Sequence, residues 1–185
     1  CYNNLAVELP AGEHELILEY HAKGLELAQK AGQLQATACA GAVLATDYFG
    51  MGSIEKARNS AEESEALARK IGNLFTLTNS TLVLGAFCSI WGELSKGEQY
   101  LKETLDISLR INNTQQISNS YGFLGWFYYS RGEYVRAKEC FERMLQVEEK
   151  AGKTAEQISD SQWVALNYVA LGEFDKARIL INDLG

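Results

Sequence analysis

The sequence predicts an all-α protein built from stacked two-helix hairpins. Turn residues recur every 40 positions along the chain, and the segments between them carry apolar residues at three- and four-residue steps. The single Pro among 185 residues supports long uninterrupted helices, because Pro inside a helix removes a hydrogen bond and clashes with the preceding turn. A hairpin of two amphipathic helices buries its apolar stripe only against neighbouring hairpins, so the predicted architecture is a solenoid.

Glycines at a fixed phase mark the turn inside each hairpin. They are Gly12, Gly52, Gly92, Gly132 and Gly172. A second set marks the end of each hairpin and consists of Gly32, Gly72, Asn112 and Gly152. Gly and Asn are the residues that best tolerate the left-handed conformation in which helices end. We therefore predict a helix A over about positions 3–17 of each repeat and a helix B over about positions 20–37.

These markers divide the chain into about five repeats, two of them partial. The predicted boundaries are 1–34 (partial), 35–74, 75–114, 115–154 and 155–185 (partial), within one solenoid spanning 1–185. The chain begins with Cys1, and its last residues stop inside an amphipathic pattern. We therefore expect a fragment of a longer protein.

The segment from Leu124 to Leu145, LGWFYYSRGEYVRAKECFERML, resembles a tetratricopeptide repeat. The family pattern of Leu-Gly, an aromatic, a turn Gly, an aromatic, Ala and a large apolar residue is matched by Leu124, Gly125, Tyr128, Gly132, Tyr134, Ala137 and Phe141. Met144 departs from the small residue that the family has next. The other repeats match at the same phase, so the resemblance covers essentially the whole chain.

The period of 40 residues is longer than the family's usual period of about 34. It is similar to the long units of MalT-like signalling ATPases and Rap-type peptide-sensing regulators. The resemblance implies a right-handed superhelix in which the A helices line the concave side and the B helices lie outside.

Composition excludes several classes of function. The net charge is −7 and no basic stripe is visible, so neither nucleic acid nor an anionic membrane is an expected partner. The four Cys are far apart in sequence and only two His are present, which predicts free thiols in a cytoplasmic protein and no metal site. The sequence contains no phosphate-binding loop and no nucleophile motif. We expect no enzyme activity and no cofactor within these residues.

A binding surface is predicted on the A helices, because residues 77–91 and 117–130 contain no charged side chain. The resemblance places groove positions in four rows: Cys39, Asn79, Asn119, Ser159; Val43, Val83, Phe123, Trp163; Thr46, Ala86, Trp126, Leu166; and Phe49, Ser89, Tyr129, Val169. The candidate partner-binding residues are Asn79, Asn119, Phe123, Trp126, Tyr129, Trp163 and Phe49. Asn can pair with a peptide backbone, and aromatic rings supply large contact area.

These positions hold no Lys or Arg, so the carboxylate clamp of chaperone-tail binders, which the family uses elsewhere, is not expected. In an alternative interpretation the aromatic residues pack between neighbouring helices.

The predicted function is a protein- or peptide-binding scaffold or sensor module of a larger signalling or regulatory protein. The alternative is a structural role, either self-association as a homodimer through the repeat edges or intramolecular docking that holds a neighbouring domain inactive.

Overall fold

The computed structural model describes the backbone of residues 11–152 and 155–182, and the side chains of residues 15–152 and 161–182. Within these ranges it contains nine α-helices and no strand, which confirms the all-α prediction. The helices are α1 (Ala11–Lys30), α2 (Leu34–Gly50), α3 (Ile54–Ile71), α4 (Leu74–Ile90), α5 (Leu94–Arg110), α6 (Thr114–Ser130), α7 (Tyr134–Ala151), α8 (Ala155–Ala170) and α9 (Phe174–Asn182).

The chain divides between Tyr100 and Leu101, inside α5, into two compact units. In the first unit, α2 packs against α1, α3 and α4. In the second unit, α6 packs against α7, and α8 packs against α6, α7 and α9. In both units a helix of type A therefore contacts the next helix of type A as well as its neighbours in sequence.

The B helices occupy the predicted positions, whereas the A helices begin earlier than predicted. Helices α4 and α6 start at Leu74 and Thr114, three residues before the predicted starts at 77 and 117. The cause is an N-cap: the side-chain oxygens of Asn73 and Asn113 accept the backbone N–H of Thr76 at 3.1 Å and of Gln116 at 3.0 Å. An Asn that follows a left-handed residue is the sequence signal for this start.

The turn residues adopt the predicted left-handed backbone. Gly52, Gly92, Gly132 and Gly172 have φ between 70° and 80°, and Asn112, at φ 50°, takes the place that Gly holds at 32, 72 and 152. The prediction is wrong for Gly12, which lies in the first turn of α1. The later glycines follow a helix A that must end, whereas α1 has already begun at Ala11.

The core of the first unit is formed by Ala45, Ala57, Ala61, Val83, Leu84 and Phe87. Small Ala side chains on α2 and α3 leave room for the bulky residues of α4, which buries residues on all sides over most of its 17 positions. A helix that is buried all round needs apolar or small polar residues throughout. Burial therefore accounts for the absence of charge on α4. The sequence pattern had predicted that this charge-free helix forms a groove wall.

Two glycines of α6 allow α7 to approach closely in the second unit. A Cβ on Gly125 would lie 2.5 Å from Cδ1 of Phe141, and a Cβ on Gly122 would lie 2.9 Å from Sδ of Met144. Both Phe141 and Met144 are buried. Position 144 holds Met where the family has a small residue. Gly122 on the facing helix α6 leaves the space that the larger Met side chain occupies.

Replacing Gly72 by Ala is expected to destabilise the protein by about 1–2 kcal/mol. Gly72 has φ 71° and a Cβ there would meet no atom within 4 Å, so the cost comes from the backbone alone. Gly24, inside α1, has equally open surroundings and no positive φ. Gly24→Ala should therefore stabilise the protein, by up to about 1 kcal/mol. Urea unfolding of both variants checks the pair, and a stabilised Gly72→Ala variant would contradict the assignment of the left-handed turn.

Candidate functional site

The candidate residues of the first unit are largely engaged in its packing. Phe49 is half-buried, and its ring meets that of Phe87 edge-on at 5.0 Å between centroids. Val83 and Ala86, which were mapped to groove rows, are only 7% and 2% exposed, so this part of the mapping is wrong. Their side chains are small enough to be covered by the helices around α4. Asn79 remains half-buried at the surface of α4.

The candidate residues of the second unit lie on two helices that contact each other, α6 and α8. Asn119, Phe123, Trp126 and Tyr129 are half-buried on α6, and Trp163 is 40% exposed on α8. The next two row positions of α8, Leu166 and Val169, are also exposed. The α6–α8 face is defined here as Asn119, Phe123, Trp126, Tyr129, Trp163, Leu166 and Val169. The side chain of Ser159, the remaining row position of this helix, lies outside the described residues.

The α6–α8 face is aromatic and uncharged. No charged residue occurs in α6 or between Ser161 and Ala170 of α8. Its polar part is an amide pair, in which Nε2 of Gln115 donates to Oδ1 of Asn119 at 3.1 Å. The ring of Tyr129 lies 5.4 Å from that of Tyr134, centroid to centroid, which fixes one edge of the face to α7. Such a surface offers contact area and amide hydrogen bonds to a ligand.

In three hairpins a cation of helix B lies over a Tyr ring of helix A. This contact was not predicted from the sequence. The Arg136 guanidinium lies 3.8 Å from the centroid of the Tyr128 ring, and its Nη2 donates to the Tyr128 hydroxyl at 2.7 Å. Lys56 over Tyr48 and Lys176 over Tyr168 repeat the contact at 5.6 and 5.7 Å. The sequence does contain a pattern that could have predicted this contact. A Tyr is followed eight residues later by Lys or Arg at the same position of three repeats.

In the second unit, acidic residues at these turns bind the cations. Hydrogen bonds from Arg131 and Arg136 lower the pKa of Glu133 below its usual value. Hydrogen bonds from Lys138 and then Lys176 lower the pKa of Glu173 in the same way. The Lys138–Glu173 bond, at 2.7 Å, joins α7 to the turn between α8 and α9. These groups are paired with one another and serve to join helices.

A second link between α7 and α8 is the hydroxyl of Tyr168, which donates to Oε1 of Glu142 at 2.9 Å. Burial first, and then this carboxylate acceptor, raise the pKa of Tyr168 to about 12. The phenol is therefore a fixed hydrogen-bond donor at neutral pH and supplies no charge to the surface.

Small buried hydroxyls set the register between neighbouring helices. Oγ of Ser64 on α3 donates to the Ala38 carbonyl at 2.7 Å and lies 2.8 Å from Oγ of Ser80. In the second unit, Ser108 and Ser120 make the corresponding contact at 3.1 Å between their Oγ atoms. Buried polar groups that are satisfied in this way specify one packing arrangement.

Buried carboxyl and amide groups also occur between the helices of the second unit. Glu148, 2% exposed, accepts a hydrogen bond from the hydroxyl of Ser118. Nδ2 of Asn167, which is fully buried, donates to the Tyr134 carbonyl at 3.0 Å. Both residues are buried between helices, so their hydrogen bonds are structural.

The described residues contain no group of three or more His, Cys, Asp or Glu side chains placed to bind a metal ion. Two potential metal ligands do lie together between α1 and α2, where Nδ1 of His21 is 2.5 Å from Oδ2 of Asp47. A pair alone does not form a metal site. The thiols of Cys39, Cys88 and Cys140 are free. Among the helices that the structure describes, none has the length and hydropathy of a membrane span.

Cys140 is expected to react slowly with iodoacetamide in the folded protein. Burial raises the pKa of its thiol to about 11, and only the thiolate is nucleophilic. At pH 8 roughly one Cys140 in a thousand is ionised, against roughly a quarter of ordinary thiols with a pKa of about 8.5. Peptide-level mass spectrometry should show alkylation accelerating about tenfold per pH unit up to pH 10. A rate in the folded protein equal to that in urea would contradict the burial of this thiol.

Comparison with known proteins identifies the fold. No protein-family model matches the chain, and no curated protein matches it. Among solved structures, BtubC (BKLC) from P. vanneervenii is 21% identical with a TM-score of 0.78, covering 94% of this chain and 72% of that chain. The Rap conjugation gene regulator of plasmid pLS20, in complex with the Phr* peptide, is 16% identical with a TM-score of 0.69. This match covers 92% of the present chain and 49% of the regulator.

The apo form of RapI is also similar, at 16% identity and a TM-score of 0.60 over 90% of this chain and 70% of that one. These likenesses show that the chain has the helical repeat fold of the tetratricopeptide-like proteins. The family resemblance of the sequence is thereby confirmed at the level of fold.

Proposed function

We propose that this chain is a protein- or peptide-binding module and that the α6–α8 face is its binding surface. The observation that carries the proposal is the concentration of half-exposed aromatic residues on a face whose described side chains carry no charge. Interfaces are rich in aromatic residues and poor in charge at their centre. The similarity to a Rap regulator that holds a peptide supports the same proposal.

A place within a larger regulatory or signalling protein is the finer part of the proposal. Two of the similar structures are Rap proteins, and one is described as a conjugation gene regulator. In this role the chain supplies recognition as a scaffold or sensor in the cytoplasm. The exposed groups of the α6–α8 face are apolar, phenolic or amide, which suits binding and supplies no carboxylate, imidazole or thiol for catalysis.

Self-association is the second candidate function. Phe174, Ile179 and Ile181 of α9 are 64%, 59% and 58% exposed, and such apolar residues favour contact with another copy. Sedimentation equilibrium distinguishes this role. A dimer that persists in the Trp126→Ala/Tyr129→Ala variant but is lost in Phe174→Ser/Ile179→Ser would support association through α9.

The proposed binding surface is tested with peptides selected from a random display library against the wild-type protein. We expect Trp126→Ala/Tyr129→Ala to weaken binding of the selected peptides by about 30-fold or more, because truncated aromatic anchors cost about 2 kcal/mol or more. The matched control is Leu109→Ala/Val135→Ala, at positions 50% and 62% exposed on α5 and α7. Equal binding by the double variant and the control, with unchanged helicity of both, would refute the assignment of the surface.

A further inference from the structure

We infer that the α6–α8 face recognises an uncharged segment of a partner protein that presents at least two bulky apolar side chains. The inference rests on the proposed function and names the chemistry of its ligand. It follows from three properties of the second unit: the distribution of charge, the arrangement of its apolar side chains and the contrast with the first unit.

The described side chains of this face carry no charge, and the two acidic residues of α8, Glu156 and Asp160, precede them in the sequence. Two cations of α7 are satisfied locally, since Arg136 pairs with Glu133 at 2.5 Å and Lys138 with Glu173 at 2.7 Å. No charged residue interrupts α6 or the segment from Ser161 to Ala170. A charged ligand side chain placed on this face would lose its hydration and gain no counter-charge. The face therefore discriminates against acidic and basic segments alike.

The apolar side chains form two matching triplets. Phe123, Trp126 and Tyr129 recur at three-residue steps on α6, and Trp163, Leu166 and Val169 repeat them 40 positions later on α8. Side chains three residues apart are neighbours on a helix surface. Because α6 and α8 contact each other, the triplets lie on adjacent helices. Six partly or largely exposed apolar side chains on two adjacent helices thus offer contacts to more than one ligand side chain.

The first unit does not repeat this surface. At the corresponding positions of α4, Val83 and Ala86 are buried, and on α2 the ring of Phe49 packs against Phe87. The exposed remainder at these positions consists of smaller side chains such as Val43, at 40% exposure. Recognition of bulky apolar groups is thus assigned to the second unit.

The experiment uses a random peptide display library selected against the full chain, followed by fluorescence anisotropy with labelled copies of the enriched peptides. We expect the enriched peptides to share two or more Trp, Phe, Leu, Ile or Met residues and no conserved charge. Replacing one of these anchors by Glu or by Lys should weaken binding by about 30-fold or more. Affinity should change less than about twofold between low and high salt, because screening acts only on charge pairs.

Each outcome bears on one of the two claims. Enriched peptides that need Trp126 and Tyr129 but share a conserved acidic or basic residue would overturn this inference and leave the proposed binding surface standing. Peptides that bind the Trp126→Ala/Tyr129→Ala variant as well as wild type, or a library that yields none, would overturn the proposed surface itself. A dimer that this double variant abolishes would identify a second copy as the occupant and overturn the inference.

Discussion

Replacing Phe141 by Ala is expected to lower the free energy of unfolding by about 3–5 kcal/mol, the range for aromatic residues truncated in a tight core. The ring is 1% exposed and lies against the backbone of α6 at Gly125. The substitution leaves a cavity where the ring was. Neither α6 nor α7 can move into this cavity without breaking its contacts with the other helices around it. Urea unfolding followed by circular dichroism measures the change.

Phe174→Ala provides the control for this loss. It removes the same ring from a site that is 64% exposed and should change stability by no more than about 0.5 kcal/mol. Equal effects of the two substitutions would show that Phe141 is not a core residue and that α6 and α7 pack differently.

Replacing Gly125 by Val is expected to destabilise the protein by about 2–3 kcal/mol, through overpacking. The added Cβ alone would lie 2.5 Å from Cδ1 and Cε1 of Phe141, so the ring or the helix must move. The double variant Gly125→Val/Phe141→Ala relieves this clash and partly fills the cavity. Its loss of stability should therefore be smaller than the sum of the two single losses by about 1 kcal/mol or more.

Chemical denaturation of all three variants completes this cycle. Strict additivity would mean that residues 125 and 141 do not meet, and would contradict the close approach of α6 and α7 described above.

The repeat pattern was sufficient to predict the period, the left-handed turns and the B helices. These features depend on local conformation, since Gly or Asn is needed at one phase of every repeat, and local conformation is encoded in adjacent residues. The starts of the A helices were predicted three residues too late, because the apolar pattern alone was used. It does not include Asn73 and Asn113, whose side chains cap these helices. Gly12 was misassigned because the prediction used only its phase in the repeat, whereas α1 already begins at Ala11.

The candidate surface was predicted less well, because exposure depends on which helices surround a position. Residues 77–91 and 117–130 look equally free of charge in sequence. The structure separates them, since α4 is buried over most of its length and α6 keeps a row of half-exposed aromatic rings. Whether a charge-free helix lies within a core or on a binding face is decided by its neighbours, which periodicity does not specify.

The central claim is that the α6–α8 face contacts the ligand, and site-specific photo-crosslinking tests it most directly. Benzoylphenylalanine is introduced in place of Leu166 on the face, which is 48% exposed, and, as the matched control, in place of Val135 on α7, which is 62% exposed. Each protein is irradiated with a labelled peptide selected on the wild type. We expect an adduct from position 166 and none from position 135. An adduct from position 135 with none from position 166 would contradict the account.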